Sequence, residues 1–314
     1  MTVSIVVPVY NAADTIAACI DSLCHQTHTD VDIVLVDDGS PDESGRICDA
    51  KAQQDSRIRV VHQPNQGRTA ARWRGTQQAV GEWLTYVDAD DQLRVDGIER
   101  LLQNATDDTD IVLGNSASIG YPTGTVPIEL FRHLTVRGEG TIGVPWGSLY
   151  RHSALNAHQF DLPREIINGE DYLFWLRLIF QTQKDVRTLH ESIYLKGEEH
   201  TSNVFRWTTE YCERLNRLRM GSIPSDVVDD YLGDTLIDRI ANLFAATLDE
   251  PRNVWQDSVF FREILRDMQH VGMTFSPRQR LFLNLPSRRL RRLYSWWSDC
   301  HSFGAQPTYF LNER

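Results

Sequence analysis

Between residues 1 and 115, short runs rich in Val, Ile and aromatic residues alternate with stretches of helical periodicity, and that alternation leaves few folds open. Ser4–Val7, Asp32–Val36, Arg57–His62, Glu82–Val87 and Thr109–Gly114 read as strands. Ile16, Ile20 and Leu23 repeat on one helical face between the first two, and Ile98, Leu101 and Leu102 do so later. Strands separated by helices predict the α/β class, a mostly parallel sheet flanked by helices. Ligands of such sheets bind beyond the carboxyl ends of the strands. Tyr10 and Asn11 follow the first strand, Asp37 and Asp38 the second, and Asp88–Asp91 a later one. The carboxylates of YVDADDQL repel one another unless water or a cation offsets their charge, and their place at a strand end points to a site.

Composition narrows the function classes. The chain has 314 residues, 41% hydrophobic and 24% charged, which suits one large domain with a helical appendage. Its 32 basic residues against 43 acids leave a formal charge of −11, so no global positive field draws in nucleic acid. No apolar run approaches the roughly 18–20 residues that cross a bilayer. MTVSIVVPVYN runs straight into a strand, without the basic start and cleavage site of a signal peptide. Cys19, Cys24, Cys48, Cys212 and Cys300 are scattered and lack metal-finger or redox spacing, so a reducing cytoplasm is the expected setting.

Each motif admits a structural and a chemical reading. In IVVPVYN, Pro8 keeps the strand from continuing as an ordinary interior one, Tyr10 can stack on a planar base, and Asn11 can cap the next helix. In VLVDDGSPDESG, Asp38 can accept from a pyrimidine N–H or a ribose hydroxyl. The same stretch also reads as an Asp-Gly turn followed by a cap from Ser40 or Asp42. NQGRTAARWRG places Arg68, Arg72 and Arg74 after a flexible Gly67, suited to phosphate oxygens, a base edge or plain surface ion pairs. In VDADD, alternation along an extended segment turns Asp88 and Asp90 to one side, and their oxygens suit Mg²⁺ or Mn²⁺ bridged to a diphosphate. The acids of GEDY suit a helix N-terminus, and one of them can also take a proton from an attacking hydroxyl.

VPVYN, VDDGS, NQGRTAAR and VDADD, in that order, followed by WGSLYR and GEDYLFWLRL, resemble the inverting family 2 glycosyltransferases of GT-A (Rossmann-like) fold, including those of bacterial surface-polysaccharide assembly. The resemblance implies a hexosyltransferase that uses a nucleotide sugar, most simply a UDP-sugar, together with Mg²⁺ or Mn²⁺. It implies that Tyr10 and Asp38 contact the base in a pocket shaped by Pro8 and Val9, and that Arg72 approaches the base or diphosphate. Asp88 would meet the ribose or donor sugar, and Asp90 would hold the metal with a further contact from His200. Asp171 would be the catalytic base, with Glu170 and Trp146 on the acceptor side. Trp73 departs from the family, where Asn commonly follows the Ala-Arg pair, and this bears on the hydrogen bonding beside Arg72.

The expected division is a glycosyltransferase domain over 1–207, with a nucleotide-sugar half (1–115) and an acceptor half (116–207), then a mainly helical region over 208–314. That last region gathers Arg278, Arg280, Arg288, Arg289, Arg291 and Arg292, with no acid between Asp267 and Asp299. Arginines among Leu and Trp suit an anionic leaflet, so peripheral contact at the inner membrane face and a glycan or lipid-linked glycan acceptor are expected. The competing outcome is that the apolar residues pack inward while the arginines pair with acids. Two rival functions are a non-catalytic nucleotide-sugar-binding module and a sugar nucleotidyltransferase, whose Gly-rich basic start is absent. A dinucleotide dehydrogenase is disfavoured because no GxGxxG follows the first strand.

Overall fold

The computed structural model describes residues 1–114, 123–138, 144–197 and 205–301, with side chains described as far as residue 295. The chain divides into two compact units, Met1–Phe131 with Ile142–His200, and Arg132–Thr141 with Thr201–Arg314. Residues 132–141, which the sequence assigns to the first domain, thus group with the helical unit.

The first unit begins β1 (Val3–Val9), α1 (Ile16–Cys24), β2 (Val31–Asp37), α2 (Ser44–Ala52), β3 (Ile58–His62), α3 (Arg68–Gln78) and β4 (Trp83–Tyr86). It continues with β5 (Gln92–Leu93), α4 (Gly97–Leu102), β6 (Ile111–Leu113), β7 (Gly124–Val126), α5 (Ile128–Val136, which runs into the second unit) and β8 (Ser148–Arg151). The short α6 (Ala157–Phe160), then α7 (Glu170–Gln181), β9 (Val186–Thr188) and β10 (Tyr194–Leu195), complete it. Among the described residues eight strands form one sheet in the order β3-β2-β1-β4-β8-β6-β9-β7. Strands β3, β2, β1 and β4 are parallel, whereas β8 runs antiparallel between β4 and β6. Every residue of β1 and β2 is buried, because helices cover both faces of the sheet there.

The chain moves from β1 outward to β2 and β3, then returns to place β4 on the other side of β1. That reversal opens a crevice at the carboxyl ends of β1 and β4. Pro8 does not end β1, which continues to Val9 beside β2. Val6 accepts from the Val87 N–H, whereas Val9 accepts from Asp38, so alternate residues turn their backbone to opposite neighbours. Pro8 therefore faces the β4 side, and the β1–β4 ladder stops before it, at the pair of Val6 with Tyr86, because proline has no N–H to continue it.

Helix α3 lies against β1 and β2 through Gly75. A methyl group at Gly75 would meet Val6 Cγ1 well inside van der Waals contact and Val36 Cγ2 at 3.2 Å. Gly75→Ala should therefore lower stability by about 1–3 kcal/mol despite the better helix propensity of alanine. Urea denaturation measures this, and a rise in stability would contradict the close packing.

The second unit contains α8 (Thr209–Ser222), α9 (Leu232–Asp249), α10 (Arg252–Gln256), α11 (Val259–His270), α12 (Pro277–Asn284) and α13 (Arg288–His301). Leu236, Leu243, Trp255, Phe260, Ile264 and Phe282 are among its buried core residues. Asp234 of α9 holds both His133 and Arg137, each at 2.5 Å, which ties the 132–141 segment to this unit. Arg239 is buried and paired with Asp267 at 2.8 Å. Among the described residues no helix is long and apolar enough to cross a membrane.

Candidate active site

A cavity of about 750 Å³ occupies the crevice in the first unit. Pro8, Val9 and Tyr10 come to it from β1 and the loop beyond, Asp38 from the end of β2, and Asp88 and Asp90 from the end of β4. Tyr10 is 52% exposed, a free aromatic face at the cavity mouth. Of Ser40 and Asp42, expected to cap a helix, Asp42 accepts through Oδ1 at 3.1 Å from the Ser44 N–H that opens α2, and the remaining oxygens of this stretch serve the loop after β1. Ser40, Ser44 and Asp42 accept from the backbone N–H groups of Asn11, Ala12 and Ala13 at 3.3, 2.8 and 2.9 Å. Thr15 and Glu43, at the N-caps of α1 and α2, make no side-chain cap bond, and Asn11 sits in a left-handed turn (φ 51°). The consequence is a fixed wall, because two loops from different strands are tied together along one side of the cavity.

Asp38 is buried and accepts from Gln63 Nε2 (2.7 Å) and from the backbone N–H groups of Gln66 (2.8 Å) and Gly67 (2.8 Å). These bonds hold the loop that starts α3, and a carboxylate still has lone-pair capacity for one further donor. Gly67 takes φ 95° at the N-cap of α3, a conformation that favours glycine.

The VDADD acids divide their tasks. Strand β4 stops at Tyr86, and Asp88–Asp91 form a turn closed by the Asp91 N–H to the Asp88 carbonyl at 3.1 Å. A turn, not extended alternation, thus brings Asp88 and Asp90 to the same cavity. Asp91 faces away, is buried, and accepts from the Gly197 N–H at 2.7 Å. Burial and the neighbouring charges of Asp90 and Asp88 raise the Asp91 pKa, with the Gly197 bond opposing them. Only a glycine fits at 197, since an added methyl would collide with the Asp90 carbonyl. Asp88 is positioned again through its backbone N–H, which donates to Tyr194 Oη at 2.9 Å.

Arg72 does not line the cavity. It is 3% exposed and donates to Asp171 Oδ1 at 2.6 Å through Nη1 and to Asp88 Oδ1 at 2.9 Å through Nη2. Burial opposes its charge, yet Asp171 and Asp88 outweigh this and raise its pKa. Where the sequence leads one to expect a base or diphosphate contact, the Arg72 fork holds two carboxylates. One turn earlier, Arg68 lines the cavity and pairs with Glu170. The sequence names Arg68 only within its motif, and the four-residue spacing from Arg72 was the signal that both share a helix face. Trp73 turns to a different neighbour and stacks on Phe160 at 5.3 Å.

Glu170 and Asp171 open α7 behind Gly169, which takes a left-handed φ of 91°. Both gain from the helix N-terminus. Glu170 is buried, and desolvation plus the adjacent Asp171 raise its pKa against the pull of Arg68. Trp146, expected on the acceptor side, is 8% exposed and stacked on Tyr194 at 4.1 Å. It supports Tyr194, and through it Asp88, in place of presenting a free face. His200 lies outside the described residues.

Carboxylates dominate the cavity: Asp14, Asp38, Asp42, Asp88 and Asp90 line it, with Arg68 as the cationic side chain among the lining residues. Asp90 makes no ion pair among the described residues. No cluster of three or more metal-ligating side chains occurs among them. Two hard-oxygen donors without such a cluster fit Mg²⁺ or Mn²⁺, which need only one or two carboxylates when phosphate completes the shell. Arg72→Met would leave Asp88 and Asp171 facing each other unpaired. We expect it to lower stability by about 3 kcal/mol, with Arg72→Lys only partly restoring it, since an ammonium cannot fork to both acids. Equal stability of Arg72→Met and the parent in urea would contradict the bridge.

The sheet order and the placement of acids at a β1/β4 switch point define an α/β protein of the GT-A fold. The sequence model described as Glycosyl transferase family 2 matches residues 4–159, and the chain belongs to that family. It is 36% identical to the putative glycosyltransferase EpsH of Bacillus subtilis, over 57% of this chain and 56% of that protein. The chain therefore spans little more than half the length of that relative. Staphylococcal TarS 1-349, solved with UDP-GlcNAc, shares the fold with a TM-score of 0.60 at 19% identity, over 88% of this chain and 93% of that one. The mannosyltransferase PcManGT of Pyrobaculum calidifontis, solved with GDP-Man and Mn²⁺, gives 0.54 at 14% identity, over 95% and 87%.

Proposed function

We propose that the protein is a metal-dependent, inverting glycosyltransferase that moves one sugar from a UDP-sugar to a glycan acceptor, lipid-linked in the setting of surface-polysaccharide assembly. The observation that carries this reading is the Asp88–Arg72–Asp171 bridge, which ties a cavity-lining acid to the head of α7 through one buried guanidinium. The nucleotide-sugar complexes of TarS and PcManGT, and the name of EpsH, support the class of reaction.

Tyr10 stacks on the base while Asp38 accepts from it, over a floor formed by Pro8 and Val9. Asp88 orients the ribose or donor sugar, and Arg68 meets the diphosphate as it separates. Asp90 would hold the divalent cation, which when bound supplies positive charge to the leaving diphosphate. Asp171 takes the proton of the acceptor hydroxyl as that oxygen attacks the anomeric carbon from the face opposite the diphosphate. One displacement inverts that carbon, and the diphosphate needs no proton to leave. Glu170 keeps Arg68 at the cavity wall until the donor arrives.

Incubation with a panel of UDP- and GDP-sugars, Mn²⁺ and candidate acceptors tests the reading. Release of UDP together with a glycosylated product of inverted configuration is expected. Pyrophosphate release would instead indicate a nucleotidyltransferase. Nucleotide-sugar binding without turnover of any donor would indicate a binding module.

A further inference from the structure

The arginine-rich end of the second unit divides into an inward and an outward half. Inward, Phe282 and Leu283 join the helical core. Arg291 is fully buried and donates to the carbonyls of Thr247 (2.8 Å), Leu285 (3.0 Å) and Glu250 (3.0 Å), closing the end of α9. Arg292 pairs with Asp249 at 2.5 Å, and Arg288 donates to the Asp249 carbonyl at 2.9 Å. Cations belong at that position, where the helix dipole is negative.

Outward, the chemistry is different. Arg278, Arg280 and Arg289 are exposed, and none makes an ion pair among the described residues. Beside them Leu281, Leu290 and Leu293 are 54, 42 and 61% exposed. Leu281 lies three residues after Arg278 on α12, and Leu293 lies three after Leu290 and four after Arg289 on α13, so each helix presents both kinds of side chain on one face. A solvated helix face ordinarily carries charge without large apolar groups. Among the described residues this one carries leucines, arginines without ion pairs and no acid, in a chain of net charge −11.

We infer that the outward face of α12 and α13 docks on an anionic lipid surface. Guanidinium groups bind headgroup phosphates as forks, and leucines interleaved with them enter the boundary between headgroups and acyl chains. Charge complementarity selects this occupant, and the exposed leucines separate it from a nucleic-acid backbone, which offers phosphate but no apolar layer. The inference stands on the second unit alone and does not depend on the catalytic reading.

The test is co-sedimentation of the full chain with phosphatidylglycerol–phosphatidylcholine vesicles and with pure phosphatidylcholine vesicles, at low and high salt. Binding to the anionic vesicles at low salt, weakened by salt and absent on neutral vesicles, is expected. Replacing Arg278, Arg280 and Arg289 together by Gln should weaken binding by about a hundredfold, at about fivefold per basic residue near an anionic surface. Leu290→Ser with Leu293→Ser should weaken it as well, while thermal melting and nucleotide-sugar turnover stay at parent values. Three results would overturn the inference. The first is failure of the parent to bind anionic vesicles at low salt. The second is a dimer in sedimentation velocity that the leucine changes dissolve, with no lipid binding. The third is affinity for a short oligonucleotide that survives the leucine changes and equals that for vesicles.

Discussion

Asp171→Asn should lower sugar transfer by about 10²–10⁴-fold while leaving nucleotide binding near the parent value, the range expected for loss of a general base. The substitution keeps the size of the side chain and still offers Arg72 an amide oxygen in place of the carboxylate at 2.6 Å. Arg72 also retains Asp88 at 2.9 Å, so the guanidinium is not orphaned and the donor side of the site should keep its shape. What disappears is the capacity to take up the hydroxyl proton. The loss should fall on kcat, since the proton moves only in the transition state. Calorimetry with UDP and Mn²⁺ provides the control for binding. Glu170→Gln is the companion variant: it frees Arg68 and so should disturb donor affinity more than Asp171→Asn does. Transfer by Asp171→Asn at close to the parent rate would remove Asp171 from the role, leaving Glu170 as the next carboxylate at the head of α7.

The parts of this site that were legible in the sequence are those set by local pattern. Continuous Val and Ile runs marked β1 and β2 because strands covered on both faces cannot alternate with polar residues. The placement of acids after those runs then put Asp38, Asp88 and Asp90 at one end of the sheet. The parts that were illegible depend on partners far away in the chain. Arg72 and Asp171 are 99 residues apart, and no periodicity tells an arginine on a helix face whether it meets phosphate or a carboxylate. Ser40 and Asp42 have the composition of helix caps, yet Ser40 Oγ and Asp42 Oδ2 accept from the backbone of the loop after β1, and only Asp42 Oδ1 serves the start of α2. Trp146, expected on the acceptor side, stacks on Tyr194, 48 residues further along the chain, a partner that no local pattern announces. At the C-terminal end the arginines divide between two surroundings. Arg291 and Arg292 turn inward to α9, and Arg278, Arg280 and Arg289 stay outward.

Asp90→Asn should reduce turnover by about a hundredfold or more, several kcal/mol of lost charge stabilisation at the leaving diphosphate. The cavity itself gives the reason. Among the described residues five aspartates line it against the guanidinium of Arg68, so an incoming diphosphate meets a surplus of like charge. Of those acids Asp38 is engaged with the Gln66–Gly67 backbone, Asp42 with the Ala13 N–H, and Asp88 with Arg72. Asp14 and Asp90 make no ion pair among the described residues, and Asp90, on the turn that also carries Asp88, has its oxygens available for a divalent cation shared with the donor phosphates. Its asparagine variant keeps the turn closed by the Asp91 N–H and the Asp88 carbonyl, because that bond is between backbone atoms. Folding should therefore be unchanged while the dependence of UDP affinity on Mn²⁺ concentration is strongly weakened. Titration of UDP into the parent and the variant, with Mn²⁺ and then with a chelator, separates loss of the metal from loss of the fold. If the parent binds UDP and transfers sugar equally well in the presence of the chelator, and Asp90→Asn does the same, the acid surplus serves something other than a cation.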